Sequence, residues 1–240
     1  MPSVRNYLPD PVKNVLRPIY SRYESVFYKL SLPYYRFLDR YKLNNLDKIY
    51  DEEYFQKRKS HPWSTTTEVV VEILSERYEP NSVIDVGCAI GYYLKEFEER
   101  GADIYGIEGA NRAVKNAVVD DILHADLREP VSISHTSELV TCFEVAEHLH
   151  PMYADQLVDT IAQLTEPEGM AIISAAPPGQ HGTHHLNLQP KTYWIEKFES
   201  RKFEFRETET NNLKLTVEGR LNERDLPWYA SSNLMVYEKH

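Results

Sequence analysis

Apolar and polar positions change period repeatedly along the chain, and the changes outline alternating strands and helices. Residues 83–86 (Val-Ile-Asp-Val) form a short β-rich run, after which Leu94 and Phe97 recur at helical spacing. Residues 102–107, 118–123, 139–143 and 170–174 are further apolar runs of strand length. Between them, residues 110–116 read as a helix, and a second helix opening near Pro151 carries Leu157, Val158, Ile161 and Leu164 on one face. Upstream, Thr65 to Glu68 has the form of a capping box, opening a helix through Val69, Val70, Ile73, Leu74 and Tyr78. Downstream, a helix is expected from Gln189, a sixth strand at 203–208, an insertion at 211–232 and a last strand at 234–237. Such alternation predicts an α/β fold, a parallel sheet wound on both faces.

The first sixty residues follow another pattern. Pro2, Pro9, Pro11 and Pro18 forbid a continuous helix over the first eighteen positions. Ile19, Tyr23, Val26, Phe27 and Leu30, then Tyr34, Phe37, Leu38 and Tyr41, recur at helical spacing and predict two short amphipathic helices. The expected division is a helical extension at 1–60 and a main domain at 61–240. Charge supports it: residues 1–60 hold 12 Lys+Arg against 7 Asp+Glu, which leaves 15 against 30 in the remainder. Basic residues among aromatics suit either a cap over the domain or, through residues 1–48, peripheral contact with the cytoplasmic face of an anionic membrane. The acidic main domain argues against a nucleic-acid substrate, because such binding draws on basic side chains. No apolar run reaches the length of a membrane span, no signal peptide is evident, and Cys88 and Cys142 read as buried thiols in a cytoplasmic protein.

The chemistry gathers where the first strand ends. Asp85-x-Gly87-x-Ala89-x-Gly91 places small residues in a loop that leads into a helix, where a ligand can approach the main chain. A dinucleotide fingerprint is disfavoured because Tyr92 stands where its third glycine belongs. The string resembles the D/E-x-G-x-G-x-G motif of class I S-adenosylmethionine-dependent methyltransferases, with Ala89 for the middle glycine. The resemblance implies a Rossmann-like, seven-stranded, doubly wound sheet whose last strand is antiparallel, and S-adenosyl-L-methionine as the methyl donor. Glu108, after the second strand, then falls where an acid holds ribose hydroxyls, and Asp126 where an acid holds the adenine amino group. The cofactor set implied is Asp85, Gly87, Ala89, Gly91, Glu108, Asp126 and Glu144.

Beyond the fourth strand, Glu144-Val145-Ala146-Glu147-His148 resembles the E-x-x-E-H segment of quinone-biosynthesis O-methyltransferases and of the small-RNA 3′-terminal methyltransferase. That likeness implies a divalent metal on Glu144, Glu147, His148 and a second histidine, for which His184 is the candidate. Without a metal, His148 and His185 are the candidates for contact with the acceptor, as general base or as hydrogen-bonding wall. Arg220 and Arg224 are candidates for an anion clamp. The whole chain also looks like sugar-modifying methyltransferases of surface-glycan assembly, including archaeal N-glycan enzymes that methylate a hexuronic acid. The resulting expectation is O-methylation of a small-molecule or lipid-linked sugar, as a methyl ester where the acceptor is a hexuronate. Two alternatives stay open: a metal-dependent O-methyltransferase of a quinol or RNA terminus, and a non-catalytic donor-binding module.

Overall fold

The structure, a computed structural model, describes residues 26, 28–49, 61–131, 133–182, 184–227 and 230–240. Most of the first expected amphipathic helix, the Tyr50–Phe55 lead-in and Trp228 lie outside the described residues.

Seven strands form one sheet in the order β3-β2-β1-β4-β5-β7-β6. They are β1 (Ser82–Val86), β2 (Asp103–Glu108), β3 (Ile122–His124), β4 (Ser137–Phe143), β5 (Thr165–Ser174), β6 (Phe203–Phe205) and β7 (Leu234–Lys239). The first five pair in parallel, and β7 runs antiparallel to both β5 and β6. Strand order reverses between β1 and β4, which leaves the crevice at their carboxyl ends as the place for ligands. The expected doubly wound fold with an antiparallel last strand is present.

Helices cover both faces because the strands are apolar on both faces. The described helices are α1 (residues 28–40), α2 (Leu46–Ile49), α3 (Trp63–Tyr78), α4 (Tyr92–Glu98), α5 (Asn111–Lys115), α6 (Ala154–Leu164), α7 (Lys191–Glu199) and α8 (Glu207–Glu223). Ile84, Val86, Ala171, Ile173, Met235 and Tyr237 pack with α6 and α7, while Val83, Ile172 and Val236 pack with α3, α4 and α8. The period-two alternation of the strands therefore divides the core into two layers.

Several expectations need correction. The third strand is only Ile122–His124, because Val119 turns inward onto the β1 loop and Val118 N–H donates to Ile90 O (2.9 Å). The sixth strand stops at Phe205, and the expected insertion opens with the 17-residue α8. Its buried stripe, Thr210, Leu213, Val217 and Leu221, is one residue wide, so helical period was hard to see in so polar a segment. Arg220 of α8 and Arg224 just after it pair with Glu72 and Glu76 of α3 instead of clamping an anion. The Thr65–Glu68 capping box is absent: α3 starts three residues earlier, after Pro62, with no side-chain cap.

The N-terminal pattern is inverted relative to an ordinary amphipathic helix. Residues 28–40 make a single helix that passes through Pro33. Its inner face carries Tyr28, Tyr35 and Asp39, whereas Val26, Leu30, Tyr34, Phe37 and Tyr41 point outward and are 49–74% exposed. Asp39 holds the helix down. It is 2% exposed, accepts a bond from Arg128 Nη1 at 2.9 Å through one oxygen, and accepts His150 N–H at 2.7 Å through the other. Arg128, itself buried, grips Asp126 with Nε and Nη2. Truncating Asp39 to Ala should therefore cost about 3–5 kcal/mol, as expected for stranding a buried charge. Denaturant titration checks this, and the Asp39→Leu/Arg128→Met double variant should recover much of the loss.

Candidate active site

The donor side is built from the β1 loop and the end of β2. Gly87, Ala89 and Gly91 all take left-handed φ values, +80°, +51° and +81°. Alanine adopts this region at a strain of roughly 1–3 kcal/mol. Close packing makes the two glycines necessary as well. A Cβ on Gly87 would lie 2.4 Å from Val145 Cγ2, and one on Gly91 would lie 2.7 Å from Val119 Cγ2. Beyond the positive φ and the ligand approach expected of them, these glycines admit neighbouring valines.

Glu108 closes the loop. One carboxylate oxygen accepts Ala89 N–H at 2.8 Å and the other accepts Ala110 N–H at 2.6 Å, so the acid spans from the glycine loop to the start of α5. Burial pushes its carboxyl up, and the backbone donors offset only part of that rise. Each oxygen has a second lone pair, which suits a sugar diol lying across the loop. A backbone cradle ending in a pinned acid fits the adenosyl part of S-adenosylmethionine.

Asp85 and Asp126 are differently placed. Asp85 is 3% exposed within the core and accepts Thr141 Oγ1 at 2.7 Å. Burial pushes its carboxyl up to about 7 against the Thr141 hydrogen bond, with the charge of Glu108 adding to the rise. Asp126, at the β3 end, is engaged by Arg128. Burial raises its carboxyl, but the hydrogen bonds and charge of Arg128 outweigh it and the group titrates below its ordinary range. An adenine amino group at Asp126 must share that carboxylate with Arg128.

The acceptor side lies beyond β4 and β5. Glu144, at φ +55°, receives Ser174 Oγ on a carboxylate oxygen at 3.0 Å, and Asn233 Nδ2 stands 3.5 Å from the same oxygen. Glu147 follows in a 3₁₀ turn, fully buried, with neither carboxylate oxygen hydrogen-bonded among the described residues. Burial, reinforced by the negative charge of Glu144, pushes its carboxyl well above the usual range. His148 Nδ1 meets the His184 carbonyl at 3.2 Å, and His185 Nδ1 meets the Gln180 carbonyl at 2.9 Å. With each Nδ1–H donated, Nε2 is the lone-pair nitrogen of both rings.

Glu147, His148 and His185 present ligand-type atoms within 4.8 Å of one another. This corrects the expected metal set. His184 turns its ring onto Tyr35 of α1 (4.7 Å between centroids), and burial takes its imidazole down to about 4. It contributes its carbonyl to His148 while its neighbour His185 joins the cluster; Glu144 lies outside it. The cluster suits a divalent cation: a cation would satisfy the orphaned Glu147 oxygens and hold that acid ionised, and anchored Nδ1 atoms are the usual outer support of metal-bound imidazoles.

Helix α1 roofs this side. Tyr28 Oη donates to the His185 carbonyl (2.7 Å), Arg36 Nε donates to the Leu186 carbonyl (2.8 Å), and the Tyr28 ring lies on His181. Tyr28, Asp39, Arg128 and Asn233 are not legible as site residues in the sequence, and Arg36 is legible only as one of the extension's basic residues. Only Asp39 carried a signal, as the one acid between residues 26 and 43.

Two outcomes follow. Because the folded carboxyl of Asp85 titrates above its unfolded value, ionising it costs stability progressively as pH rises from about 4 to about 7. Asp85→Asn should lack that loss, so melting temperatures of variant and parent should diverge in the variant's favour across this window. Separately, a Cβ on Gly182 would fall 2.3 Å from His185 Nε2. Gly182→Ala should displace that ring, lowering methyl transfer at least about tenfold while leaving donor affinity unchanged in calorimetry.

Comparison with known proteins agrees with this geometry. The family model described as a methyltransferase domain matches residues 55–210. Ubiquinone biosynthesis O-methyltransferases of Psychrobacter cryohalolentis and Leptothrix cholodnii are 30% and 29% identical over 126 and 123 residues. Those matches cover 46% and 47% of this chain and 43% and 47% of the relatives. The chain thus spans less than half the length of the curated relatives it matches. Among solved structures, Streptomyces venezuelae DesVI superposes with a TM-score of 0.59 at 13% identity, over 82% of this chain and 99% of DesVI. Two more are S-adenosylmethionine-bound CalS10, an amino pentose methyltransferase of Micromonospora echinaspora (TM-score 0.57, 14% identity, 78% and 96% covered), and the sugar N-methyltransferase KedS8 of Streptoalloteichus sp. ATCC 53650 (0.58, 14%, 79% and 93%). At such identities the likeness speaks for the fold. The chain belongs to the methyltransferase-domain family and has the seven-stranded class I methyltransferase fold.

Proposed function

We propose that the chain methylates an oxygen of a small polar acceptor, a sugar of a cell-surface or N-linked glycan. The observation that carries this reading is the polar acceptor wall: Glu147 with the lone-pair nitrogens of His148 and His185, all under α1. A hydroxyl must lose its proton as it is methylated, and this wall holds two imidazoles able to take it. A hexuronate, ionised at neutral pH, needs no base and would yield a methyl ester. Sugar methyltransferases among the structural neighbours support the acceptor class, and O-methyltransferases among the relatives support oxygen as the atom. S-adenosylmethionine, when bound, supplies an electrophilic methyl group; the protein's residues position the acceptor oxygen and manage its proton.

A second reading is favoured by the orphaned acid. If a divalent cation sits on Glu147, His148 and His185, it would act as a Lewis acid on an acceptor hydroxyl, as a quinol or RNA-terminal methyltransferase requires. The test is transfer of labelled methyl to glucose, glucuronate and a catechol, each with and without EDTA. Transfer to a sugar that EDTA leaves intact supports the first reading. Catechol methylation abolished by EDTA supports the second, and transfer only to an amino sugar would refute oxygen as the acceptor.

The outer stripe of α1 bears on where the acceptor is met. Between residues 26 and 43 stand Lys29, Arg36, Arg40 and Lys42 against Asp39, whose charge is spent on Arg128. Apolar residues facing outward beside cations suit an anionic lipid surface. No described helix is long and apolar enough to cross a membrane, so the contact proposed is peripheral. In co-sedimentation, vesicles containing phosphatidylglycerol should retain the protein and pure phosphatidylcholine should not, and Leu30→Asp/Phe37→Asp should abolish retention. Retention unchanged in that variant would remove the stripe from the account.

A further inference from the structure

Beyond the end of β5 lies a cavity of about 80 Å³, lined by Gln189, Lys191, Trp194, Lys214, Ser232 and Asn233 among others. No acid among the described residues lines it, in a segment of chain where acids outnumber bases two to one. Its donors are unusually uncommitted. Trp194 is 1% exposed, and its indole N–H has no acceptor among the described residues; Tyr193 packs edge-on against the ring at 5.0 Å. Lys214 has no hydrogen bond or ion pair among the described residues. Burial, then the charge of Lys191, holds its ammonium below the ordinary lysine range, with Glu218 pulling weakly the other way. Lys191 lies over the Phe205 ring (4.2 Å), and its nearest acid, Glu207, is 3.9 Å away and largely exposed.

Lys214 without a paired acid, Lys191 with only a long and exposed one, and a buried N–H without an acceptor would all be satisfied by an anion. The other polar lining is already paired. Ser232 Oγ donates to Asn233 Oδ1, Asn233 Nδ2 reaches Gln180 Oε1 at 3.1 Å and Glu144 Oε1 at 3.5 Å, and Gln189 Nε2 donates to Asn187 Oδ1. Space for two or three waters is also space for one tetrahedral oxyanion, since a water takes about 30 Å³. Asn233 joins the cavity wall to Glu144, and Gln180 continues from Asn233 to His185 through its carbonyl. Whatever fills the cavity lies one residue away from the acceptor wall.

We propose that this cavity binds a phosphate-class oxyanion of the acceptor, held on Lys191, Lys214 and the Trp194 N–H, apart from the oxygen that is methylated. The proposal rests on the reading that loops 144–150 and 175–187 receive the acceptor, and it names the acceptor's class: a phosphorylated or phosphate-linked sugar rather than a neutral one. Lysine serves such groups as a point charge, and loss of one charged contact weakens binding about tenfold or more.

The test is calorimetric titration of the full chain with inorganic phosphate, with S-adenosylhomocysteine titrated in parallel. Phosphate should bind the parent, bind Lys214→Gln at least about tenfold more weakly, and bind Lys214→Arg nearly as well, with nucleoside affinity equal in all three. Absence of phosphate binding by parent protein that still binds S-adenosylhomocysteine would overturn the proposal. Phosphate affinity equal to the parent's in both Lys214→Gln and Lys191→Gln would overturn it too. Failure of the acceptor reading looks different: phosphate binds as predicted, yet no sugar or sugar phosphate is methylated.

Discussion

The arrangement over the crevice depends on one buried guanidinium. Arg128 leaves β3 and joins two acids, Asp126 beside the donor loop and Asp39 on the roofing helix, while Asp39 also accepts a backbone N–H from the acceptor side. Burying a charge is costly unless it is paired and hydrogen-bonded. The three groups are therefore stable together and unstable apart, which makes α1 part of the site. Arg36 and Tyr28, about one and three turns before Asp39 on the same helix, then bond carbonyls of the loop that carries His185.

Acids at the sheet's carboxyl end are held in three distinct ways, and each implies a different use. Glu108 is held by backbone N–H groups and keeps lone pairs for hydroxyls. Asp126 is held by a cation and is correspondingly acidic. Glu147 has no hydrogen-bond partner for either carboxylate oxygen among the described residues, and burial pushes its carboxyl well above the usual range. Type alone would have made these three carboxylates equivalent. Their surroundings separate donor binding, lid anchoring and the acceptor wall.

What the sequence made legible was whatever local order determines. Runs of β-branched residues at 83–86 and 139–143 become central strands, since both faces of a parallel sheet are buried. The glycine loop and Glu108 were legible because their backbone geometry recurs at strand ends. Contacts made at long range were illegible. Nothing near His184 and His185 says which ring turns toward Glu147, because the choice is made by Tyr35, some 150 positions earlier. Tyr34, Phe37 and Tyr41 share one face, while Leu38, expected with them, is half-buried; period alone does not say whether that face looks inward, and the polar residues Asp39 and Arg128 reversed it. Segment 207–223 was missed because its helix buries so few apolar side chains that it reads as polar loop.

The central claim is that the loop from Gly87 to Gly91, closed by Glu108, holds the donor nucleoside. Calorimetric titration of S-adenosylhomocysteine into the parent chain and into Glu108→Ala tests it most directly. The account predicts micromolar binding by the parent and affinity at least about tenfold weaker in the variant, as the loss of hydrogen bonds to a charged group implies. Equal affinity in the two folded proteins, or no binding by the parent, would contradict it.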